Sequence, residues 1–534
     1  MNQLLQATDA IFSEWDKPES PGCALAVIQH GEIRYLCGYG SANLDYRIPI
    51  TSKTVFDIGS VSKQFTAMCI AILYRRGLLS LDDKIQTYLP EIPEYENPVT
   101  IRHMLHHTSG LRDYLELMYY AGMPFENDYQ EVEVIDLIAS QKALNFEPGS
   151  QYLYSNSGYF LLSEIVERVS GKNMREFAEE NIFKPLGMTH THFHNDFKMI
   201  VENRATGYTR HKDGTFEIDY GIFDVIGDGA IYTTVEDLFL WDQNTYHNII
   251  DGGGQELIEL TRTPGRFNDG REQDYAMGLR LETYRGLKAV GHGGSWYGFR
   301  AAMLQLPEKE FSVICLSNLA QMNPSSLVYK VIDLWLAADL AEPAAVQAVK
   351  PVTAFSKAQL TQYAGFYYNP ANQSLIKADV LEGRLAVTLF EEPILLNKTA
   401  ENTFSSDGSP QVNVTFSPSR ETDLSFMKID IGNGSMVDEL QQLSPFDLQS
   451  NKLNEYPGTY HSDELGISYE LRLENETLVM FRKKIRFESL LPAATDLCKG
   501  GTCTITFVRD SDGSKTGFML SANRMKNIFF ENQQ

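Results

Sequence analysis

Ser60 and Lys63 have the side chains and the spacing of an activated serine nucleophile. They stand three residues apart in the stretch Ser-Val-Ser-Lys, and an apolar run of helical periodicity follows them. If a helix begins at Ser60, both side chains lie on one of its faces, at the end where backbone N–H groups are free. An amine beside a hydroxyl is what an activated serine needs. A helix-capping serine followed by a solvated lysine is the alternative interpretation of this pair.

Two later stretches carry groups that could complete such a site. Tyr154 and Asn156 lie in a loop rich in turn-forming residues, and a tyrosine whose pKa is lowered by a neighbouring cation can act as a general base. His292 precedes Gly293 and Gly294 between two predicted strands, where small residues would let a substrate backbone approach closely. Simple packing of the tyrosine and a tight hairpin at the glycines are the alternatives.

The apolar pattern predicts a layered domain around these residues. Strands at 22–29 and 32–39 form a hairpin, and helical or loop signals dominate from 80 to 245. Strands return over residues 275–320, and a last helix is predicted at 324–339. A sheet opened by N-terminal strands and closed by C-terminal ones, with helices between them, is an α/β or α+β domain.

A repeated unit occupies the last third of the chain. Leu-Thr-Gln-Tyr-Ala-Gly-Phe-Tyr at 360–367 recurs as Leu-Asn-Glu-Tyr-Pro-Gly-Thr-Tyr at 453–460, and the segments 385–387 and 478–480 keep the same offset. Self-similarity of this kind indicates two copies of one structural unit. Each copy has short alternating runs interrupted by Asn, Gly, Asp and Pro, which favours small antiparallel barrels or sandwiches.

The acidic composition argues against two classes of partner. The chain has 46 lysines and arginines against 70 aspartates and glutamates, a net charge of −24. Nucleic acids and anionic membrane surfaces attract basic proteins, so neither is an expected partner. No run of 18 apolar residues is present, and the N-terminus lacks a basic segment followed by an apolar one. We expect a cytoplasmic protein, or the mature form of an exported one, and the sequence allows a homodimer.

Neither the cysteines nor the histidines predict a metal or redox centre. Six cysteines are too few for a disulfide framework, although Cys498 and Cys503 could meet across a hairpin. Two groups of three histidines stand out: His103, His106 and His107, and His190, His192 and His194. The first group lacks cysteine or acidic ligands nearby, and the second alternates along one strand face in what reads as a surface loop. We expect no metal and no cofactor.

The three stretches, in this combination and order, resemble the serine β-lactamase and penicillin-recognising hydrolase family. The matching motifs are Ser-x-x-Lys, Tyr-x-Asn and the His-x-Gly variant of a strand motif that is usually Lys-Thr-Gly. The neighbouring sequence matches too, including Thr-Ser-Gly-Leu at 108–111 and Gly-Phe at 298–299. The resemblance covers residues 10–340. It implies a serine β-lactamase-like hydrolase domain of the α/β (α+β) class, with an antiparallel sheet and helices.

The resemblance implies catalytic roles. Ser60 would be the nucleophile, and Lys63 and Tyr154 would share the general-base role, relaying the serine proton and later activating water. The backbone N–H groups of Ser60 and Ser295 would form an oxyanion hole, in which each donor typically contributes ~3 kcal/mol to transition-state stabilisation.

The resemblance also implies substrate-binding roles. Asn156 would hold the substrate amide, and Gly293 and Gly294 would border the oxyanion hole. His292 would line the cleft and assist substrate orientation or the Tyr154 proton. Lysine is usual at the position of His292, so a clamp for a substrate carboxylate is less expected, and with it true β-lactamase or D-alanyl carboxypeptidase activity.

The repeated tail resembles that of D-stereospecific aminopeptidases in the same family, which carry two small β-barrels after the hydrolase domain. We therefore predict a β-lactamase-like serine hydrolase domain at 1–345 and barrels at 356–448 and 449–534. An Ala-, Pro- and Val-rich stretch at 341–352 is the predicted linker.

A loop of the last barrel reaches the cleft in those aminopeptidases and restricts it to small amino-terminal residues. By this resemblance, the long connection at 490–503 would project over the cleft of the present chain. Asp496 in this connection could then pair with a substrate ammonium. A turn cap is the alternative role for Asp496, because aspartate favours turns.

Three functional hypotheses follow. The first is a serine hydrolase that cleaves peptides or amides with a D-residue by an acyl-enzyme route, as an aminopeptidase would. The second is a carboxylesterase of broad substrate range that uses the same residues. The third is a non-catalytic scaffold or sensor whose barrels bind a ligand, and the intact set of catalytic candidates argues against it. Pocket contacts decide between substrates, and the motifs do not define those contacts.

Overall fold

The computed structural model of the protein describes residues 2–341, 357–389, 392–406, 411–418, 425–431, 436–444, 453–475 and 477–533. The chain falls into two compact units: Met1–Met118 with Met123–Pro343, and Tyr119–Gly122 with Ala344–Gln534. Most of the predicted linker at 341–352, and the predicted boundary between 448 and 449, lie outside the described residues. The domain limits 1–345, 356–448 and 449–534 therefore stay predictions.

An antiparallel sheet forms the centre of the first unit. In the described part of the chain its six strands are β1 (Cys23–Gln29), β2 (Glu32–Tyr39), β3 (Arg280–Tyr284), β4 (Leu287–Trp296), β5 (Phe299–Leu306) and β6 (Phe311–Ser317). Their order across the sheet is β3-β4-β5-β6-β1-β2, so Cys23 of β1 lies opposite both Ser317 of β6 and Tyr39 of β2. This order confirms the predicted α/β fold, in which strands from both ends of the domain share one sheet.

Helices cover both faces of this sheet. The longer ones are α1 (Asn2–Phe12), α2 (Lys63–Arg75), α3 (Asn156–Ser170) and α4 (Pro324–Trp335). The shorter ones are Ile101–Leu105, Tyr114–Ala121, Glu131–Ala139, Met174–Ala178, Lys184–Leu186, Val235–Asn244 and Glu256–Thr261. No helix in the described residues combines the length and the apolar character that a membrane crossing needs.

The alternation of side chains along the central strands decides which helices pack on each face. Val27 of β1 and Val313 of β6 point to one face and are buried in a cluster with Ile332 of α4. Ser312 points to the other face, where its hydroxyl donates to Asp242 Oδ1 at 2.6 Å. Fully burying an aliphatic side chain contributes roughly 1.5–3 kcal/mol, so this cluster holds the sheet against its helices.

The helical segment begins with a tight 3₁₀ turn at Gly59–Ser62 that leads directly into α2 at Lys63, so Ser60 lies at the helix start as predicted, in a 3₁₀ turn and not in the α-helix itself. Gly59 has a φ of 49°, and a Cβ at this position would come within 2.7 Å of Ser295 N. A left-handed φ and this close approach both require glycine. The turn can therefore lie directly against the backbone of β4.

Two closed antiparallel barrels follow, each with eight strands in the described residues. The first has β7 (Gly365–Asn369), β8 (Ser374–Leu381), β9 (Arg384–Leu389), β10 (Glu392–Ala400), β11 (Thr403–Ser405), β12 (Val412–Pro418), β13 (Ser425–Ile431) and β14 (Met436–Gln442). The second has β15 (Gly458–Ser462), β16 (Ile467–Glu474), β17 (Thr477–Arg482), β18 (Ile485–Ala494), β19 (Leu497–Lys499), β20 (Cys503–Arg509), β21 (Lys515–Ala522) and β22 (Met525–Asn532). The predicted pair of barrels is confirmed.

A buried tyrosine shows that the two barrels repeat one unit. Tyr367 is fully buried in the first barrel, and its hydroxyl donates to the Tyr363 carbonyl at 3.1 Å. Tyr460 is equally buried in the second barrel and donates to the Tyr456 carbonyl at 2.7 Å. Both pairs lie in the segments whose repetition the sequence revealed.

The prediction of a long connection at 490–503 is wrong. This segment forms the end of β18, all of β19 and the start of β20. Cys498 and Cys503 are both buried free thiols. Cys498 lies opposite Ile505 and Cys503 opposite Ala522, so the two cysteines are not directly opposed cross-strand partners.

Candidate active site

Lys63 is fully buried, and its Nζ lies at the centre of the candidate site. Nζ donates hydrogen bonds to Ser60 Oγ at 3.2 Å, to Asn156 Oδ1 at 2.8 Å and to the Asp228 carbonyl at 2.6 Å. Ser60 lies in the 3₁₀ turn and Lys63 at the start of α2, whereas Asn156 comes from the first turn of α3. A nitrogen at hydrogen-bonding distance from a hydroxyl can exchange a proton with it, which is the chemistry of an activated serine.

Asp113 fixes the start of α3 and thereby the position of Asn156. The Asn156 N–H donates to Asp113 Oδ2 at 2.7 Å, and Ser155 Oγ caps the helix by accepting from the Gly158 N–H at 3.4 Å. Asp113 is fully buried, so its bond is shielded from water and correspondingly strong. The Asn156 side chain is held against Lys63 as a result.

Tyr154 lies two residues before Asn156, in a segment without regular secondary structure. Lys63 Nζ is 4.8 Å from the centre of the Tyr154 ring, which is within the range of cation–π attraction. The ring centre also lies 6.0 Å from that of His292. The structure thus gathers the predicted residues around Lys63, while their catalytic roles stay predictions.

His292 lies on β4 and is buried. A carbonyl can only accept, so His292 Nδ1–H donates to the Gly293 carbonyl at 2.5 Å and Nε2 accepts from the Tyr275 hydroxyl at 3.0 Å. Burial, followed by the charge of the nearby Arg280, lowers the pKa of His292 to about 3. The imidazole is therefore neutral at physiological pH and bonds to Tyr275, a residue that the sequence did not single out.

The backbone N–H groups of Ser60 and Ser295 lie where β4 meets the turn before α2. A Cβ at Gly294 would fall 1.9 Å from the Ile58 carbonyl oxygen and 3.3 Å from Ser60 N, so glycine alone fits there. Ser60 and Ser295 line the same pocket. Gly293, by contrast, faces α4, where a Cβ would meet a serine hydroxyl at 3.1 Å. This geometry suits a two-donor oxyanion hole bordered by Gly294.

A pocket opens beside Ser60. Much of its wall is aromatic: Tyr114, Phe197, Tyr220, Phe223, Tyr232, Trp296, Tyr297 and Phe299. Asp57, Asp224 and Asp228 line it too, whereas no lysine or arginine in the described part of the chain does. Burial raises the pKa of Asp57 to about 7 and that of Asp228 to about 6. An apolar group and a cation therefore suit this pocket better than an anion.

The raised pKa of Asp57 makes stability depend on pH. In the unfolded chain an aspartate ionises near pH 4, whereas in the fold Asp57 keeps its proton up to about pH 7. Between these values the unfolded state binds fewer protons than the folded state. The free energy of unfolding consequently falls as pH rises from about 4 to about 7.

Asp57→Asn should remove this pH dependence. Asparagine can still accept the bond that Asp57 Oδ1 takes from the Gly59 N–H at 2.7 Å. We expect the free energy of unfolding of the variant, relative to that of the wild type, to be on the order of 1–3 kcal/mol higher at pH 8 than at pH 5. Denaturant unfolding of both proteins at the two pH values measures this change. The same difference between variant and wild type at both pH values would contradict the prediction.

The histidines at 190–194 do not share one strand face as predicted. His192 and His194 do, with His192 Nε2 3.3 Å from His194 Nδ1, but His190 lies in the preceding turn, 3.8 Å from Asp237. Within the described residues, no group of three or more His, Cys, Asp or Glu side chains is arranged to hold a metal ion.

Sequence reasoning missed three residues that shape this site. Asp113 directly follows the Thr-Ser-Gly-Leu-Arg stretch, and Asp228 stands between two glycines, so each carried a usable local signal. Tyr275 carried none, because it precedes β3 and meets His292 of β4 only in the folded chain. Such contacts become visible in the fold alone.

Asp496 lies in the turn between β18 and β19 of the second barrel. Its carboxylate accepts from Arg509 Nε at 2.9 Å and from the Tyr456 hydroxyl at 3.1 Å. The turn conformation, with φ 59°, is one that aspartate tolerates better than most residues. A substrate ammonium would compete with the Arg509 guanidinium, so the role of Asp496 in substrate binding stays a prediction that this ion pair weighs against.

A serine and a buried lysine at the entry to a helix, against an antiparallel sheet and beside an aromatic pocket, define a class of serine hydrolases. The chain belongs to the Beta-lactamase family, whose sequence profile matches residues 7–331.

Two relatives agree with this membership, and a solved structure shares the fold. The chain is 31% identical over 318 residues to Penicillin-binding protein 4* of Bacillus subtilis, covering 57% of this chain and 69% of the relative. It is 30% identical over 331 residues to D-aminopeptidase of Brucella anthropi, covering 62% of each. The chain thus matches less than two thirds of that aminopeptidase. The octameric penicillin-binding protein homologue from Pyrococcus abyssi superposes with a TM-score of 0.57 at 23% identity, covering 91% of this chain and 99% of that one.

Proposed function

We propose that the protein is a serine hydrolase that cleaves peptide or amide bonds through an acyl-enzyme at Ser60, and that its substrates carry an amino-terminal D-residue. The observation that carries the proposal is the hydrogen bond between Lys63 Nζ and Ser60 Oγ at the edge of a pocket that Ser60 lines. The D-aminopeptidase relative supports the substrate class.

The reaction would proceed in two halves. Ser60 Oγ attacks the substrate carbonyl carbon while its proton passes to the Lys63–Tyr154 pair, which starts one proton short: the base is the Tyr154 phenolate if Lys63 is an ammonium, or the Lys63 amine if Tyr154 is a neutral phenol. The carbonyl oxygen accepts hydrogen bonds from the backbone N–H groups of Ser60 and Ser295. The C–N bond then breaks, and the leaving amine takes the proton. Water attacks the resulting ester, gives its proton to the same pair and releases the acid as Ser60 Oγ is protonated again.

Asn156 would bind the substrate, and His292 would support the position of Tyr154. Asn156 Oδ1 accepts from Lys63, which leaves its amide N–H groups able to donate to the substrate amide. His292 is neutral and accepts a hydrogen bond from Tyr275, whose ring packs against that of Tyr154. It would therefore hold Tyr275 in place beside Tyr154 and would not carry a proton itself.

The pocket chemistry favours a substrate with a free ammonium group. Asp224 and Asp228 line the pocket, and pKa values of about 6 leave both carboxylates ionised at pH 7, where they can neutralise a cation. The aromatic wall can take an apolar side chain. A substrate carboxylate would instead meet these acidic groups. The same aromatic wall also suits the acyl group of an ester, which is why the carboxylesterase remains the second candidate.

Paired chromogenic substrates test the proposal. We expect D-amino-acid p-nitroanilides to be cleaved at least tenfold faster, in kcat/KM, than their L-enantiomers, because a chiral pocket discriminates through differential transition-state contacts. N-acetylation of the preferred substrate should lower its kcat/KM relative to the free-amine form, since acetylation removes the ammonium. Cleavage confined to short p-nitrophenyl esters would identify the carboxylesterase. Light scattering on the same preparation measures the oligomeric state, for which a homodimer stays a prediction.

A further inference from the structure

The backbone that carries Tyr154 has neither a helix nor a strand to hold it. Residues 151–155 lack regular secondary structure, and α3 begins only at Asn156. Tyr154 nevertheless has its ring 4.8 Å from Lys63 Nζ. A proton relay tolerates little displacement, since a shift of about 1 Å can cost 10²-fold in rate. Some other group must therefore fix this segment.

His107 binds the segment on both sides of Tyr154. Its backbone carbonyl accepts from the Leu153 N–H at 2.9 Å, and its side-chain Nδ1 accepts from the Ser155 N–H at 3.1 Å. The imidazole also lies against the Tyr154 ring, with 4.2 Å between the ring centres. One residue thus contacts the main chain before Tyr154, the main chain after it and the ring itself.

The imidazole of His107 is held in the form that makes this contact. A nitrogen that accepts from a backbone N–H carries no proton, so the neutral ring is protonated on Nε2. His107 is fully buried, and burial together with the nearby Lys63 ammonium lowers the pKa of His107 well below its usual value. A charged ring would point an N–H at the Ser155 N–H and break the contact.

The backbone of His107 is unusual for a residue with a side chain. Its φ is 56°, in the left-handed region that glycine adopts most easily and asparagine tolerates. This conformation lets the carbonyl and the ring of one residue reach the same neighbouring segment. The chain accepts an unfavourable φ where glycine would be easier, which fits a requirement for the imidazole.

We propose that His107 is a positioning residue that holds Tyr154 in place through the N–H groups of Leu153 and Ser155. The inference rests on the proposed role of Tyr154 in the reaction. His107 would act through Tyr154, without contacting the substrate or the reacting atoms.

Two single variants test the proposal on the best chromogenic substrate. His107→Ala removes the acceptor and should lower kcat 10- to 100-fold with KM changed less than threefold, because the relay is displaced while the pocket remains. His107→Asn supplies an Oδ1 acceptor and tolerates the left-handed φ, so it should keep kcat within threefold. If His107→Ala does not fold, His107→Gly takes its place, since glycine suits this backbone.

His103→Ala is the matched control. His103 Nδ1 accepts from the Thr100 N–H at 3.2 Å, so this variant loses a bond of the same kind within a helix cap. We expect it to lower the melting temperature and leave kcat unchanged. Equal losses of kcat in His103→Ala and His107→Ala would show a general effect on stability and overturn the inference.

A double-mutant cycle separates this inference from the proposed function. In a Tyr154→Phe background, His107→Ala should reduce kcat by less than a further threefold, because the group that it positions is already gone. A 10- to 100-fold further loss would overturn the inference alone, while the role of Tyr154 stands. Full kcat in Tyr154→Phe by itself would overturn the role of Tyr154, and the positioning role of His107 with it.

Discussion

Replacement of Ser60 by alanine is expected to lower kcat on the order of 10⁴-fold or more for every substrate that the protein cleaves. The reason is that the proposed acyl-enzyme cannot form without the Ser60 hydroxyl, and the remaining oxyanion donors alone give only a small residual rate. Ser60 makes a single hydroxyl contact with Lys63 Nζ at 3.2 Å among its described side-chain bonds, so folding should survive. Steady-state kinetics and circular dichroism of the purified variant measure both effects.

Ser62 provides a matched control for this variant. It lies two residues away, is fully buried, and accepts from the Ile231 N–H through its Oγ at 3.0 Å. Ser62→Ala should lower stability by about 1 kcal/mol and leave turnover within a few-fold of the wild type. A fluorophosphonate should label Ser60 in the wild type and in Ser62→Ala alike. Peptide mapping that places the label on Ser62 or Ser155 would disprove the nucleophile assignment.

The sequence could predict which candidate residues lie close together because each motif keeps its members within one short structural element. Ser60 and Lys63 share the entry to α2, and Tyr154 and Asn156 share the entry to α3, so spacing in the sequence becomes proximity in the fold. The order of the motifs then indicated the family, and the resemblance to that family predicted the antiparallel sheet beside which the starts of α2 and α3 lie close together.

Contacts across long separations could not be predicted from local patterns. Asp113 reaches Asn156 across 43 residues, and Lys63 reaches the Asp228 carbonyl across 165. The sequence therefore gave no reason to expect Lys63 to be fully buried, because its burial depends on acceptors that distant segments supply. The same limit applies to Tyr275, which precedes β3, whereas its partner His292 lies on β4.

The second barrel shows how tertiary pairing overrides local signals. Proline and glycine residues at 490–503 are typical of a loop, yet this segment pairs as three strands. A register shift between Pro492 and Ala494 accommodates the proline, as bulges commonly do. The repeat predicted the barrel correctly because similarity between two long segments depends on the whole unit and not on single turn-forming residues.

Lys63→Met and Tyr154→Phe are each expected to lower kcat by 10²- to 10⁴-fold, the usual contribution of general acid–base catalysis. Both substitutions keep the approximate size of the side chain. Lys63→Met leaves the Asn156 Oδ1 and Asp228 carbonyl acceptors without its ammonium, so it should also lower the melting temperature. Tyr154→Phe should change stability less, because it removes a hydroxyl alone.

The combination of the two substitutions shows whether they act as one relay. Lys63 Nζ bonds Ser60 Oγ and lies 4.8 Å from the Tyr154 ring centre, so Lys63 contacts both other members of the proposed relay. Residues that act as a unit fail together, and the double variant should therefore lose about as much kcat as the worse single variant. The four proteins are compared on one substrate after their folding is checked by circular dichroism. A double loss equal to the product of the single losses would mean that Lys63 and Tyr154 act in separate steps.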